Sequence, residues 1–389
     1  MSARPRVRDI LLGLAALAVA AVSARGAASA RLGIVIAHDQ TISYATGEMT
    51  VLPEPGIGAL SVLDLDASGP VLREVAAVPI SVIGPPTSVA LHPTKPLAIV
   101  TRAMRPEKIE GRMQHVPDRR VSLVRLEGDD RGVIATLEVG LQPSSVSISP
   151  DGHYALVTNR SEGTLSVIEI TGTSLKERER VRIAEPGDSL SHVEISPDGT
   201  LALATLNQAN ATLLLRLDRQ GHPEVVDRIE AGAGPYAARF MPDGRGAVVA
   251  NIGSHDVVHL AIEDARLRVL QVNAVGRIPE GIDISPDGSW MAVSCMEGAN
   301  LTDKSHPLYG RPGRVHLFRF AGGHYEPAGI LEVGGGPQAA VFSPDGQRLL
   351  VTNTGKRQLL LYHRQADESW SLELTSKVPG EPIAARRRG

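Results

Sequence analysis

The tetrapeptide Ser-Pro-Asp-Gly recurs along this chain together with its flanks, at residues 149–152, 196–199, 285–288 and 343–346. Met241-Pro242-Asp243-Gly244 is a near copy and His92-Pro93-Thr94-Lys95 a decayed one. Alone, the motif is good turn chemistry: proline presets φ, aspartate bonds its own backbone, and glycine takes the left-handed conformation that closes a hairpin. The flanks make it a repeat. Each copy follows a short strand opening near a proline, as at 143–148 and 337–342, and precedes an apolar run ending near Thr-Asn, as at 155–159 and 350–353. A further strand follows, as at 164–170. Units of several strands at a period of roughly 45 to 55 residues must stack on their copies to bury their faces, which is the pattern of a β-propeller.

First-strand-plus-turn units start at Pro86, Pro143, Leu190, Pro235, Pro279 and Pro337. The N-terminal unit begins midway, with second, third and fourth strands expected at 32–37, 59–65 and 72–82. Its missing first strand is available at the other end, where Gly380-Glu381-Pro382-Ile383-Ala384-Ala385-Arg386 resembles the segment 234–239. The expected architecture is therefore all-β: seven four-stranded blades over residues 31–389, closed by the C-terminal strand in the N-terminal blade, with no free edge.

Net charge is −3, which leaves no electrostatic footprint for nucleic acid. Aromatics make up 3% of the chain, which suits closely packed aliphatic sheets and not tryptophan-rich repeats. Residues 1–30 read as an export signal: Arg4, Arg6 and Arg8, an apolar run from Ile10 to Val22, then small-residue cleavage sites ending at Ala24 or Ala30. The run is too short to span a bilayer. The mature chain is expected in the periplasm or outside the cell, as a monomer, and its one cysteine, Cys295, cannot form an internal disulfide.

Two constellations are candidates for function. Asn159, Asn251 and Asn353 end the second strand of their units and lead into short loops. His38, Arg102 and Cys295 replace that asparagine and open long insertions, at 39–57, 103–119 and 296–313. These belong to blades 1, 2 and 6, flank blade 7, and would roof one side of the channel mouth, the usual place for a binding face. They carry His38, Asp39, Tyr44, Arg102, Arg105, His115, Glu297, Asn300, His306 and Tyr309. The second constellation lines the channel: the innermost strands align Ala90, Ser147, Glu194, Arg239, Asp283, Val341 and Arg386 at one level. Ser88, Ser145, His192, Ala237, Gly281, Ala339 and Ala384 stand two residues nearer the insertions. Charges so placed must be paired or meet water and ligand. One reading is a ring of ion pairs. The other is a chargeable floor under the roofed mouth, with His192 and Glu194 as acid or base and Arg239 gripping a carboxylate. No histidine–carboxylate spacing marks a metal site, no phosphate loop or nucleophile elbow occurs, and no cofactor is expected.

The Val-Thr-Asn strand ends, the Ser-Pro-Asp-Gly turns and the strand 163–170 resemble the YVTN-repeat propellers. These are related to lactonase-type seven-bladed propellers, which include phosphogluconolactonases and fungal muconate-lactonizing enzymes. The resemblance implies the fold over nearly the whole mature chain. Lactonase-type members carry histidine, glutamate and arginine around the channel mouth, and the segment 191–199 matches their histidine-before-turn pattern. Their Gly-Pro-Arg-His element stands here as Gly234-Pro235-Tyr236-Ala237.

Three functions follow as expectations. The first is a propeller that binds a small anionic molecule or a periplasmic protein segment through His38, Arg102, His115, Glu194, Arg239, Asp283, His306 and Arg386, without chemistry. The second is a lactonase-type hydrolase of a sugar-acid or similar lactone, using His192, Glu194 and Arg239. The third, a redox accessory protein, has no Cys-x-x-Cys-His haem site to support it.

Overall fold

The computed structural model describes residues 33–45, 48–66, 69–81 and 83–388, so residues 1–30, which the sequence suggests as an export signal, lie outside the described residues. Seven four-stranded antiparallel sheets stand round a central axis. Blade 1 runs outward from the axis as Glu381–Arg387, Ile34–Asp39, Ala59–Asp66 and Gly69–Ala77. The other six follow in chain order, with innermost strands Val89–Leu91, Pro143–Ile148, Leu190–Ile195, Pro235–Phe240, Pro279–Ile284 and Ala340–Phe342. Ring closure is as the two incomplete ends require: Ile34 pairs with Arg387, Ala37 with Ala384 and Asp39 with Glu381.

The core lies between blades. Val146, Leu156 and Leu165 of blade 3 illustrate it, since Val146 packs toward blade 2 while Leu156 and Leu165 pack toward blade 4. A second strand sandwiched this way is buried on both faces, so Tyr154–Asn159 and Gly246–Asn251 are continuous buried runs. Outermost strands show the alternation of a half-exposed sheet, as in Ser174–Arg182.

Each turn residue has its own task. In blade 3 the Ser149 hydroxyl donates to Asp151 at 2.6 Å and accepts from the Tyr154 amide at 3.1 Å, while Gly152 holds φ at 74°. Blades 4, 6 and 7 repeat the serine–aspartate bond at 2.5 to 2.6 Å. The turns also touch round the ring, because a β-carbon on Gly199 would lie 3.3 Å from the Pro150 ring. The asparagines clamp the next hairpin: buried Asn159 donates to Thr164 and Ser166 at 3.0 and 2.8 Å. His38 takes over that clamp in blade 1 through Ser61, 2.9 Å from Nε2.

Two of the three insertions carry strands, whereas 296–312 in blade 6 is built of turns. In blade 2 the second and third strands run on into a long hairpin, Leu97–Ile109 with Arg112–Arg125. Glu110 and Gly111 form its two-residue turn at φ 49° and 83°, the pair of left-handed residues that matches strand twist. The blade 1 insertion contains a short hairpin, Ile42–Ser43 with Thr50–Val51. It reaches blade 2, where Thr41 Oγ1 meets His115 Nε2 at 2.9 Å, and blade 7, where Tyr44 packs on Gly355.

Candidate functional site

Three levels of side chains divide the channel. The level of Ala90, Ser147, Glu194, Arg239, Asp283, Val341 and Arg386 is real, and all seven line one basin. That basin is walled by the Pro150, Pro197 and Pro286 turns, so it opens on the turn face and not beneath the insertions. The expectation of a charged floor under the roofed mouth is thereby corrected: each charged residue is next to last in a strand that runs from the insertion face to the turn, and its side chain reaches the far opening.

The charges there form one network across the axis. Arg239 is held by Glu194 and lies 3.4 Å from Asp283. Arg386, from the closing strand, reaches over to Glu194 at 3.2 Å, and Arg387 pairs with Asp283 and donates to the Ile284 carbonyl at 2.8 Å. Burial works against the Arg239 charge, and Glu194 and Asp283 outweigh it and push its pKa up.

The middle level fills the channel. His192 is buried with both ring nitrogens engaged: Nδ1 lies 3.1 Å from Thr87 Oγ1, and Nε2 lies 3.0 Å from the Ala238 carbonyl. The carbonyl can only accept, so Nε2 carries a proton, and Nδ1 is the nitrogen left bare in the neutral ring. Burial pulls its pKa down to about 4, against the opposing pull of Glu194 3.7 Å away. Ser145, Ala237, Ala339 and Ala384 of this level are buried too. His192, Glu194 and Arg239 are thus brought together, but His192 is packed as a structural bridge between blades.

This neutral histidine has a consequence for stability. The unfolded chain takes up a proton near pH 6.5, and the folded chain does so only near pH 4. The stabilising difference is complete above pH 6.5 and is lost as pH falls through 4, about 3 kcal/mol at most. His38, pulled down to about 3 by burial, adds a loss of the same sign. Denaturant midpoints measured from pH 7 to 4 are expected to fall, with a shallower slope in His192→Gln.

The third level faces the insertions and does not follow from the repeat arithmetic. Four innermost strands carry an irregular register just after their first residue, between Pro143 and Ser145, Leu190 and His192, Pro235 and Ala238, and Pro279 and Gly281. Such bulges re-aim side chains. In blades 5 and 6 the residues at the irregularity are Tyr236 and Glu280. Burial raises the pKa of Glu280 to about 7, although the Gln338 side chain bonds to it, and its Oε2 is buried without a hydrogen-bond partner. The Tyr236 phenol is bonded by Arg160, whose Nε also donates to Ser189 Oγ at 2.7 Å. Tyr44 comes down from the blade 1 insertion, its phenol pushed up by burial and then by the nearby Glu280. The signal available in the sequence was the polar residue following each entry proline: Thr87, Ser144, Tyr236, Glu280 and Gln338.

The insertion residues singled out from sequence have local work. Arg102 lies 3.3 Å from Asp118 within the blade 2 hairpin. His115 faces Thr41, as above, and His306 Nδ1 accepts from the Leu308 amide at 3.1 Å inside the blade 6 insertion. Cys295 is fully buried. Among the described residues no group of three or more histidines, cysteines or carboxylates is placed to hold a metal ion, and no helix is long and apolar enough to cross a membrane.

No family model and no curated protein matches the sequence. Solved structures do match the fold. The periplasmic gluconolactonase of Pseudomonas aeruginosa is 20% identical, with a TM-score of 0.66 over 91% of this chain and 98% of that one. A proposed 6-phosphogluconolactonase from Bacteroides uniformis is 17% identical, with a TM-score of 0.71 over the same shares. A second from Bacteroides fragilis is 15% identical, with a TM-score of 0.70 over 93% of this chain and 99% of that one. The chain therefore has the seven-bladed fold of the lactonase-type propellers.

Proposed function

We propose that this chain is an exported lactonase-type hydrolase whose chemistry lies at the insertion-side mouth, with Glu280 as general base and acid. The observation that carries the reading is Glu280 itself: a carboxylate at a strand irregularity, with a buried, unpartnered oxygen and a pKa that burial pushes up to about 7. That value suits a group that must take and return a proton at neutral pH. Perturbed titration at a channel mouth is where catalytic groups concentrate.

The ionised carboxylate removes a proton from water as the oxygen attacks the lactone carbonyl. The Tyr236 hydroxyl, whose oxygen accepts from Arg160, donates its proton to the developing oxyanion in this scheme. When the ring C–O bond breaks, protonated Glu280 returns its proton to the leaving alkoxide, and the product is an open-chain hydroxy acid. The fold shared with the Pseudomonas gluconolactonase and the Bacteroides proteins supports lactones as the substrate class. The cationic start and apolar run of residues 1–30 support export.

The test is a panel of gluconolactones, homoserine lactones and muconolactones. Hydrolysis by the wild-type protein is expected to rise through about pH 7 as Glu280 ionises. Glu280→Gln should cut turnover about 100- to 10,000-fold with KM largely kept. No hydrolysis above background, or full activity in Glu280→Gln, overturns the reading.

A further inference from the structure

The basin on the turn face takes no part in this chemistry, and it has the composition of a site. Its volume is about 550 Å³, within the size range of small-molecule pockets. Four guanidinium groups line it, Arg239, Arg386, Arg387 and Arg388, against two carboxylates, Glu194 and Asp283. Four minus two leaves two positive charges in one recess. Arg239 and Arg387 are committed to their carboxylates. Arg386 shares Glu194 with Arg239 through two longer contacts, 3.2 and 3.4 Å, and its side chain is 24% exposed. Arg388 donates to the Lys95 carbonyl at 2.9 Å, and its buried Nε has no hydrogen-bond partner.

The remaining wall is apolar. Leu91, Ile148, Ile195, Phe240 and Ile284 occupy it beside the turn prolines. An apolar ring under surplus guanidinium groups selects an anion with an apolar body. A planar fork matches a carboxylate with two parallel hydrogen bonds, and partial exclusion of water strengthens the pairing. We propose that this basin is a second binding site, for a small organic carboxylate whose head group sits between Arg386 and Arg388 and whose apolar body lies against the Phe240–Ile284 wall. The buried middle level separates it from the lactone site.

The site also bears on the closing strand. Arg386 belongs to the strand that completes blade 1, and Arg388 follows its last residue. A bound carboxylate would therefore tie the closing strand to blades 4 to 6 through the network, and stabilise the closed ring by mass action.

The experiment is calorimetric titration of the protein at low ionic strength with benzoate, benzamide and benzylammonium. Heat is read, not lactone turnover, so the outcome is independent of the proposed hydrolysis. Benzoate is expected to bind and the neutral and cationic probes are not. Arg388→Ala and Arg386→Lys should each weaken benzoate by about tenfold or more, the effect of a lost charge-assisted bond or fork. Arg388 lies beyond the last strand residue, so its variant keeps the fold, which an unchanged unfolding curve checks. Equal binding of benzoate and benzamide overturns the proposal, as does no benzoate heat at millimolar concentration. So does benzoate affinity that survives both arginine changes but is lost in Arg160→Ala, which would place the anion at the other mouth.

Discussion

Deleting residues 380–389 is expected to destabilise the protein by roughly 5 kcal/mol or more, which for this ring means loss of the native state under mild conditions. The deletion removes the buried side chains of Ile383, Ala384 and Ala385. It also strips one edge of Ile34–Asp39, a strand whose six residues are all buried. At about 1.5 to 3 kcal/mol for each large apolar side chain returned to water, Ile383 and the uncovered neighbours Ile34, Val35 and Ile36 reach the expected loss. Two further effects have the same sign. The exposed edge of blade 1 becomes a template for pairing with other chains. Glu194 loses Arg386, and Asp283 loses Arg387. The measurement is the unfolding temperature and oligomeric state of the truncated protein. An unchanged unfolding temperature would show that the closing strand does not hold the ring.

That closure is legible in the sequence because the repeat is strict enough to count. A unit lacking its first strand at one end and a lone first strand at the other admit few arrangements. The level of Glu194, Arg239 and Asp283 was legible for the same reason, since a strand period of two fixes which residues share a face. What alternation alone does not supply is the end of the channel at which that level opens, which follows from its place one residue before the strand end, beside the turns. It also could not supply Glu280 and Tyr236, because a bulge breaks the period on which the counting rests. The insertions misled in a related way. His38, Arg102 and His115 stand where a binding face is expected, yet each is held by a neighbour that completes a hairpin clamp or a bridge between insertions. Tyr44, from the same insertion, does reach the mouth. Its position depends on the blade 1 insertion crossing to blade 7, which no local pattern announces.

Arg239→Ala is expected to cost about 3 to 5 kcal/mol, the effect of leaving buried charges without their partner. Arg239 is buried between Glu194 and Asp283, and both carboxylates are themselves buried. Its removal leaves each with one arginine from the closing strand, Arg386 and Arg387, and takes away the cation that separates two negative groups in the same recess. The network as a whole need not be worth that much, since desolvating five charged groups offsets most of their attraction. The triple variant Glu194→Gln, Arg239→Met, Asp283→Asn should therefore lose less than the sum of its parts, and less than Arg239→Ala combined with either carboxylate change estimated additively. Chemical denaturation of the single and triple variants at one pH measures both quantities. A loss below about 1 kcal/mol for Arg239→Ala, the range of exposed ion pairs, would mean that water enters the network freely and that the channel's charged level is a solvated surface rather than a buried bridge between blades.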